Sequence, residues 1–508
     1  MTLLADVVRT SAQVGATSSR LAKTAALAER LRSLQPDEIE IALPYLSGDI
    51  RQGKLALGYR TLPSPAPATT ATLTLRDVDF VFEQLKKTKG KGSAAARAQL
   101  LEGLLARATA EEHDFLVRLI VGELRQGALE GAMLEALAAA AGLSAAQVRR
   151  AAMIAGGLAP VGRAALAEGA KGLERFAIAP MRPVLPMLAQ PAASTAAALA
   201  VLGEAAFEWK LDGARVQVHK AGDDVRVFTR TLNDVTGAVP EVVATARKAA
   251  ASSLILDGEA IALRPDGRPH PFQTTMRRLG RKADDVALRE SLPLSVFFFD
   301  CLYHAEPLVD RPLRERRHAL AEVVQGEFLT PWLVTADAGA AEAFYRAALD
   351  QGHEGVMAKA LDAPYEAGRR GSGWLKVKRA HTLDLVVIAA EWGHGRRKGW
   401  LSNLHLAARD PAGGFIMLGK TFKGMTDAML EWQTRELQAR ATGRDDWVVH
   451  VRPELVVEIE FNDIQKSPQY PAGLALRLAR VKRYRQDKRA QDADTIETVR
   501  AIHEQGLA

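Results

Sequence analysis

The chain carries one cysteine in 508 residues. With Cys301 alone, an intrachain disulfide and a cysteine-based zinc cluster are excluded, and a reducing cytosol suits the composition. Long apolar runs are also missing. None approaches the roughly 20 residues needed to span a bilayer, and the start, Met1 to Arg9, lacks the basic-then-apolar order of a secretion signal. No pair of histidines has metal-ligand spacing backed by further ligands, so no structural zinc is expected. No repeat of fixed period is evident. These absences predict a soluble, cytoplasmic protein with no membrane segment.

What is present is ordinary globular material in quantity: 48% hydrophobic and 25% charged residues. The length exceeds one core and predicts about three domains. A net charge of +7 and a pI near 9.4 are compatible with a polyanionic partner.

Residues 1–178 read as helical. Leu116, Leu119, Ile120 and Leu124 share one helix face, in a helix expected to end near Gly127. Ser144-Ala145-Ala146-Gln147 has the form of a capping box. Pro63–Pro67 reads as a loop. The basic segment Lys86–Ser93 reads either as a phosphate-touching loop or as a solvated one. Pro180, Pro183, Pro186 and Pro191 mark a linker. Residues 179–383 then alternate short strands and helices, a mixed α+β domain with a hairpin around Ala221–Asp224. Residues 384–508 hold several short strands and one central helix, which favours a small barrel of the oligonucleotide-binding type. Trp392–Lys398 is a basic turn, either gripping a phosphate backbone or simply exposed.

The chain is organised around Glu208-Trp209-Lys210-Leu211-Asp212-Gly213-Ala214-Arg215. A lysine stands between a carboxylate and an Asp-Gly turn that leads into an alternating strand. Desolvation or nearby cations can leave such an amine unprotonated and nucleophilic; an exposed lysine at a strand end is the plain alternative. Further clusters follow in order: Asp257-Gly258-Glu259 after an apolar run, His353-Glu354 before Lys359, and Trp374-Leu375-Lys376-Val377-Lys378, whose two lysines share a strand face. With Arg215 and Arg230 on neighbouring hairpin strands, these supply a nucleophile, two carboxylates for a divalent metal and cations for phosphate. That is equipment for nucleotidyl transfer from a triphosphate.

Lys210–Arg215, Asp257–Glu259, Phe297–Asp300, Glu354–Lys359 and Trp374–Lys378 resemble, in order, the motifs of the covalent nucleotidyltransferases. The long helical region and the ending Leu476–Arg483 narrow the resemblance to ATP-dependent DNA ligases of a bacterial three-domain type. The resemblance implies a multidomain fold: an all-α N-terminal DNA-binding domain, an α+β adenylation domain and a C-terminal OB-fold. It implies that Lys210 attacks the ATP α-phosphate and carries AMP. Glu208 reads adenine, Phe299 stacks on the base with Phe297 as the fallback, and Arg215 and Arg230 contact sugar or phosphate. Glu259 contacts the ribose and, with Glu354, the metal. Lys376 and Lys378 neutralise the α-phosphate, and Arg370 contacts ATP. Some of Arg477, Arg480, Arg483 and Lys488 orient pyrophosphate as the last domain swings about a hinge near Asp384. Family members often place a proline where this chain has Ala479. The implied cofactors are ATP and Mg²⁺ or Mn²⁺, and the partner is nicked duplex DNA, bound by a monomer. An RNA ligase or capping enzyme, and a catalytically silent DNA-binding scaffold, are the rival readings.

Overall fold

Capping chemistry starts the N-terminal helices. In the computed structural model the Ser144 hydroxyl accepts from the Gln147 N–H, and the Gln147 side chain accepts from the Ser144 N–H, opening the helix Ala145–Ala155. Thr74 with Asp77 and Thr109 with Glu112 open two more helices in the same way. Leu116, Leu119 and Ile120 are buried as their spacing requires. Their helix stops at Gly122, whose φ of +74° is the left-handed termination glycine tolerates. The helix thus ends short of Leu124, expected on the same face, and of the expected end near Gly127, because Gly122 terminates it first. Gly127 lies outside the described residues, which are 1–90, 92–124, 130–279, 286–366, 370–379, 381–394 and 397–507.

The chain forms two compact units, Met1–Phe344 with Met357–Lys376, and Tyr345–Val356 with Val377–Ala508. Within the first, the helical region does not stand apart. Met153 and Ile154 enter one core with Val184, Met187, Ile255, Leu302 and Trp374, and the Leu185 N–H donates to the Met153 carbonyl at 3.0 Å.

Ten strands build two sheets: β1 (Leu188–Pro191), β2 (Ala205–Lys210), β3 (Ala214–Ala221), β4 (Asp224–Thr229), β5 (Ser253–Ala262), β6 (Leu294–His304), β7 (Glu306–Pro307), β8 (Trp332–Thr335), β9 (Gly355–Ala360) and β10 (Arg370–Lys378). One sheet has the order β4-β3-β5-β6-β7, with antiparallel pairs throughout; the other runs β1-β10-β9-β2-β8. The proline-marked linker thus ends in a strand. β1 pairs in parallel with β10, and proline at its last position fits a sheet edge. The hairpin forms as its turn residues require, Gly222 at φ +60° linking β3 to β4.

The second unit adds β11 (His381–Trp392), β12 (Leu401–Arg409), β13 (Phe415–Thr421), β14 (Ala441–Asp445), β15 (Val448–Val451), β16 (Val456–Phe461), β17 (Asp463–Lys466), β18 (Leu474–Arg477) and β19 (Arg480–Tyr484). The long β11 pairs with β12 on one side and with β16 and then β15 on the other. Its register slips between Val387 and Ala389 and again between Glu391 and Trp392, and such bulges bend a sheet toward a barrel. The hydrogen-bonded ladder does not close into a ring among the described residues. Alternating Leu383, Leu385 and Val387 face the core beside the helix Asp427–Ala439.

Asp384 sits within β11, and its backbone N–H donates to Asp494 at 2.7 Å. Its carboxylate accepts from Arg485 at 2.8 Å and Lys488 at 2.6 Å. Asp384 is thus tied within its own unit by three residues from the end of the chain.

Candidate active site

β2 is buried from Ala205 through Glu208 and opens to partial exposure at Trp209 and Lys210. The strand thus delivers its last lysine to an edge of the core, with Nζ 3.5 Å from the Leu211 carbonyl oxygen. The following turn explains Gly213, though not through a left-handed φ. A Cβ there would stand 2.4 Å from the Ala260 carbonyl oxygen and 3.0 Å from Cγ of Glu259. Only glycine lets the Lys210 turn lie against β5.

That close approach brings Glu259 into the field of Lys210. Burial pushes the Glu259 carboxyl up to about 7; Lys210 and then Arg215 pull it down, while Asp212 and Asp257 push it further up. A buried acid whose charge is disfavoured mainly by lost hydration is suited to a hard divalent cation, whose charge would relieve it. Because the folded state keeps this proton up to about 7 and an unfolded chain releases it near 4.5, the folded state binds more protons between those values. Stability of the metal-free protein is therefore expected to fall as pH rises from about 4.5 to 7 and then level off. Chemical denaturation in EDTA across that range checks it: Glu259→Gln should show a shallower decline than wild type.

Arg215, facing Glu259 in the β3–β5 register, is clamped. Its Nε and Nη2 donate to Asp257 at 3.0 and 2.5 Å, Nη1 to the Met187 carbonyl at 2.6 Å, and Nη2 also to the Tyr365 hydroxyl at 3.0 Å. Burial works against its charge, but Asp257 and Tyr365 more than offset that and hold it above its ordinary value. These contacts leave little more than one Nη1 N–H of the five donors for a ligand.

Two residues before Lys210 on β2, Glu208 forms an ion pair with Lys359 of β9, both almost fully buried. Lys359 Nζ also lies 4.6 Å from the Phe299 ring centroid and 4.1 Å from that of Trp374. Burial pushes Glu208 up and Lys359 down, and each one's charge is the chief influence opposing the other's shift. Phe299 meets Trp374 edge to face at 6.1 Å, and Arg215 lies 5.5 Å from the Phe299 centroid. Phe297 instead faces Glu259 across β5–β6. Asp300, next to Phe299 on β6, takes Arg316 through both carboxylate oxygens at 2.8 and 3.0 Å with no exposure of either side chain.

Family models match three stretches: DNA ligase N terminus over residues 60–138, ATP dependent DNA ligase domain over 186–378, and ATP dependent DNA ligase C terminal region over 397–488. A protein named Probable DNA ligase from Anaeromyxobacter sp. (strain Fw109-5) is 61% identical, with 99% of each chain covered. The chain belongs to the ATP-dependent DNA ligase family. A second Probable DNA ligase, from Sorangium cellulosum (strain So ce56), is 54% identical over 100% of this chain and 96% of its own. The solved structure Pmar-Lig_PreS3 shares the fold at a TM-score of 0.65 and 20% identity, covering 94% of this chain and 99% of that one. An ATP-dependent DNA ligase seals nicks in duplex DNA, so the RNA ligase, capping and scaffold readings give way. No single helix among the described residues is long and apolar enough to cross a membrane.

Of the residues expected to act in this ligase, the first unit brings together Lys210, Glu259, Arg215, Glu208 and Phe299. Lys376, on β10, is half-buried and its carbonyl accepts from Ala192 at 2.9 Å. Arg230 is exposed just past β4. The side chain of Arg370 lies outside the described residues, as do Arg369, Lys91, Gly395 and Arg396. In the second unit Glu354 pairs with Lys378 at 2.7 Å. There Arg483 joins Lys482 on Glu458, at 2.6 and 2.9 Å. Lys488 is taken by Asp384, and Arg480 is exposed. Asp257 and Lys359 stood in the motifs read from the sequence without a role of their own, and Tyr365 was not named there. A lysine inside the apolar strand Gly355–Ala360 is a readable signal; nothing local marks Tyr365.

Proposed function

We propose that Lys210 is the nucleophile of this ligase. Its amine attacks the α-phosphorus of ATP, forming a P–N bond and breaking the α–β anhydride, with pyrophosphate leaving. AMP then passes to the 5′-phosphate of the nick, and the 3′-hydroxyl displaces AMP to close the phosphodiester. The observation that carries the reading is Lys210 at the open end of a buried strand, set by Gly213 against Glu259. Phe299 stacks on the base, Glu208 reads its edge, Arg215 reaches the sugar with its remaining N–H, and Arg230 and Arg370 contact sugar or phosphate. Lys376 and Lys378 neutralise α-phosphate charge as it builds. Glu259 and Glu354 would hold Mg²⁺ or Mn²⁺, which supplies further neutralisation of phosphate oxygens when bound. Basic side chains, within a net charge of +7, take the phosphates of the nicked duplex, and the chain acts as a monomer in the cytoplasm.

Incubation with ATP labelled at the α-phosphate tests the reading. One label per chain is expected, acid-labile, and mapping to Lys210. A label that maps elsewhere would overturn it. Chelation with EDTA is expected to reduce labelling to background, and added Mg²⁺ or Mn²⁺ to restore it; undiminished labelling in EDTA would remove the metal from this step.

A further inference from the structure

Lys359 has no role in the chemistry above, yet it is among the most deeply buried cations in the chain. Its ammonium meets Oε2 of Glu208 and lies against the faces of Phe299 and Trp374. The other Glu208 oxygen, Oε1, is buried with no hydrogen-bond partner among the described residues. A buried acceptor left open costs free energy unless something donates to it. Resting on the proposed nucleotide site, we infer that Lys359 is a positioning residue for base selection. It fixes Glu208 as an acceptor-only carboxylate, so that Oε1 takes a hydrogen bond from a 6-amino group on the base and rejects a 6-oxo group.

The chemistry is directional. A carboxylate accepts and cannot donate, so it pairs with the exocyclic amine of adenine and repels the carbonyl of hypoxanthine or guanine. Remove the ammonium and Glu208 is an uncompensated buried acid, which takes up a proton. The resulting O–H can donate to a 6-oxo group, and the preference inverts or vanishes. The charged groups facing Glu208 are Lys359 on β9, Arg317 on the helix Leu313–Val323 and Asp300 on β6. Arg317 is itself committed, donating to the Thr330 carbonyl at 2.8 Å and lying 4.9 Å from the Trp332 ring centroid. It therefore does not replace Lys359 at Oε2.

The test is Lys210 labelling by ATP and by inosine triphosphate, which differ at the 6-position, across pH 6 to 9 with metal present. Wild type is expected to favour ATP by at least about a hundredfold, the scale of discrimination a buried polar contact provides. Lys359→Met should lose most of that ratio at pH 7, chiefly through a higher KM for ATP, with labelling by inosine triphosphate kept or raised. Its ATP preference should return as pH rises and Glu208 ionises. Lys359→Arg should keep most of the ratio throughout. If Lys359→Met loses both substrates in equal proportion, or keeps the wild-type ratio at every pH, the inference is overturned. Should that variant not fold, Lys359→Gln, which keeps Glu208 and removes only the charge, is measured instead. A ratio that falls at pH 7 and returns as pH rises supports the role, and an intact ratio overturns it. Failure of wild type to label Lys210 at all would instead overturn the nucleotide site, which separates the two claims.

Discussion

Lys210→Arg is expected to form no labelled intermediate and to seal nicks at least about three orders of magnitude more slowly than wild type, the scale of removing a catalytic nucleophile. The substitution keeps the charge and nearly the length, so electrostatic binding of ATP survives. What it removes is a lone pair: a guanidinium stays protonated and cannot attack phosphorus. Lys210→Ala should fail equally in labelling while also losing charge near Glu259, whose carboxyl Lys210 pulls downward more strongly than any other group. The two variants therefore separate nucleophilicity from charge. Both should still close a nick whose 5′-phosphate already carries AMP, because that step uses no lysyl intermediate. Measuring sealing of pre-adenylated against ordinary nicked DNA checks this. Loss of both activities to the same extent in Lys210→Arg would point to damage beyond the nucleophile.

The largest stability effect is expected at a pair that touches no substrate. Asp300→Ala should destabilise the protein by about 3–5 kcal/mol, the usual result of stripping one partner from a buried ion pair. Arg316 would keep its contacts to the Arg311 carbonyl at 2.6 Å and the Ala363 carbonyl at 3.0 Å, but its charge would have no counterion in a site with no exposure. Replacing both members by apolar groups of similar volume should cost much less. Equilibrium denaturation of Asp300→Ala, Arg316→Met and the double variant forms a cycle that checks this. Additive losses would mean the pair is not coupled. Asp300 follows Phe299, the residue proposed to stack on the base, on β6, so kcat for labelling is also expected to fall before the protein unfolds.

Much of this was legible in the linear chain because the signals are local. Ser144 and Gln147 cap a helix through a four-residue contact, and Leu116, Leu119 and Ile120 line a face by spacing alone. The run from Lys210 to Arg215 announces a strand end, a turn and a new strand within a few residues. Other features were illegible for the opposite reason. The proline-bearing Leu188–Pro191 segment becomes a strand only because β10 lies alongside it. Asp384 looks like the start of a domain and proves to be pinned by Arg485, Lys488 and Asp494 from the far end of the chain. Phe297 and Phe299 share a strand face, and periodicity cannot rank them. The tertiary structure gives them different neighbours: Lys359, Trp374 and Arg215 gather at Phe299, and Phe297 faces Glu259.

From its residues alone, the chain determined its family: the order of its lysine, carboxylate and paired-lysine motifs belongs to ATP-dependent DNA ligases. Side-chain identity carries such motifs, and identity is written locally. Only the tertiary structure decided which charges are spent on one another. Arg215 is bound to Asp257 and Tyr365, Glu208 to Lys359, and Lys378 to Glu354. In the first two cases the partners are brought together by strand pairing and packing between distant segments. Burial then makes each pairing decisive, since a charge removed from water must find its counterion within the protein.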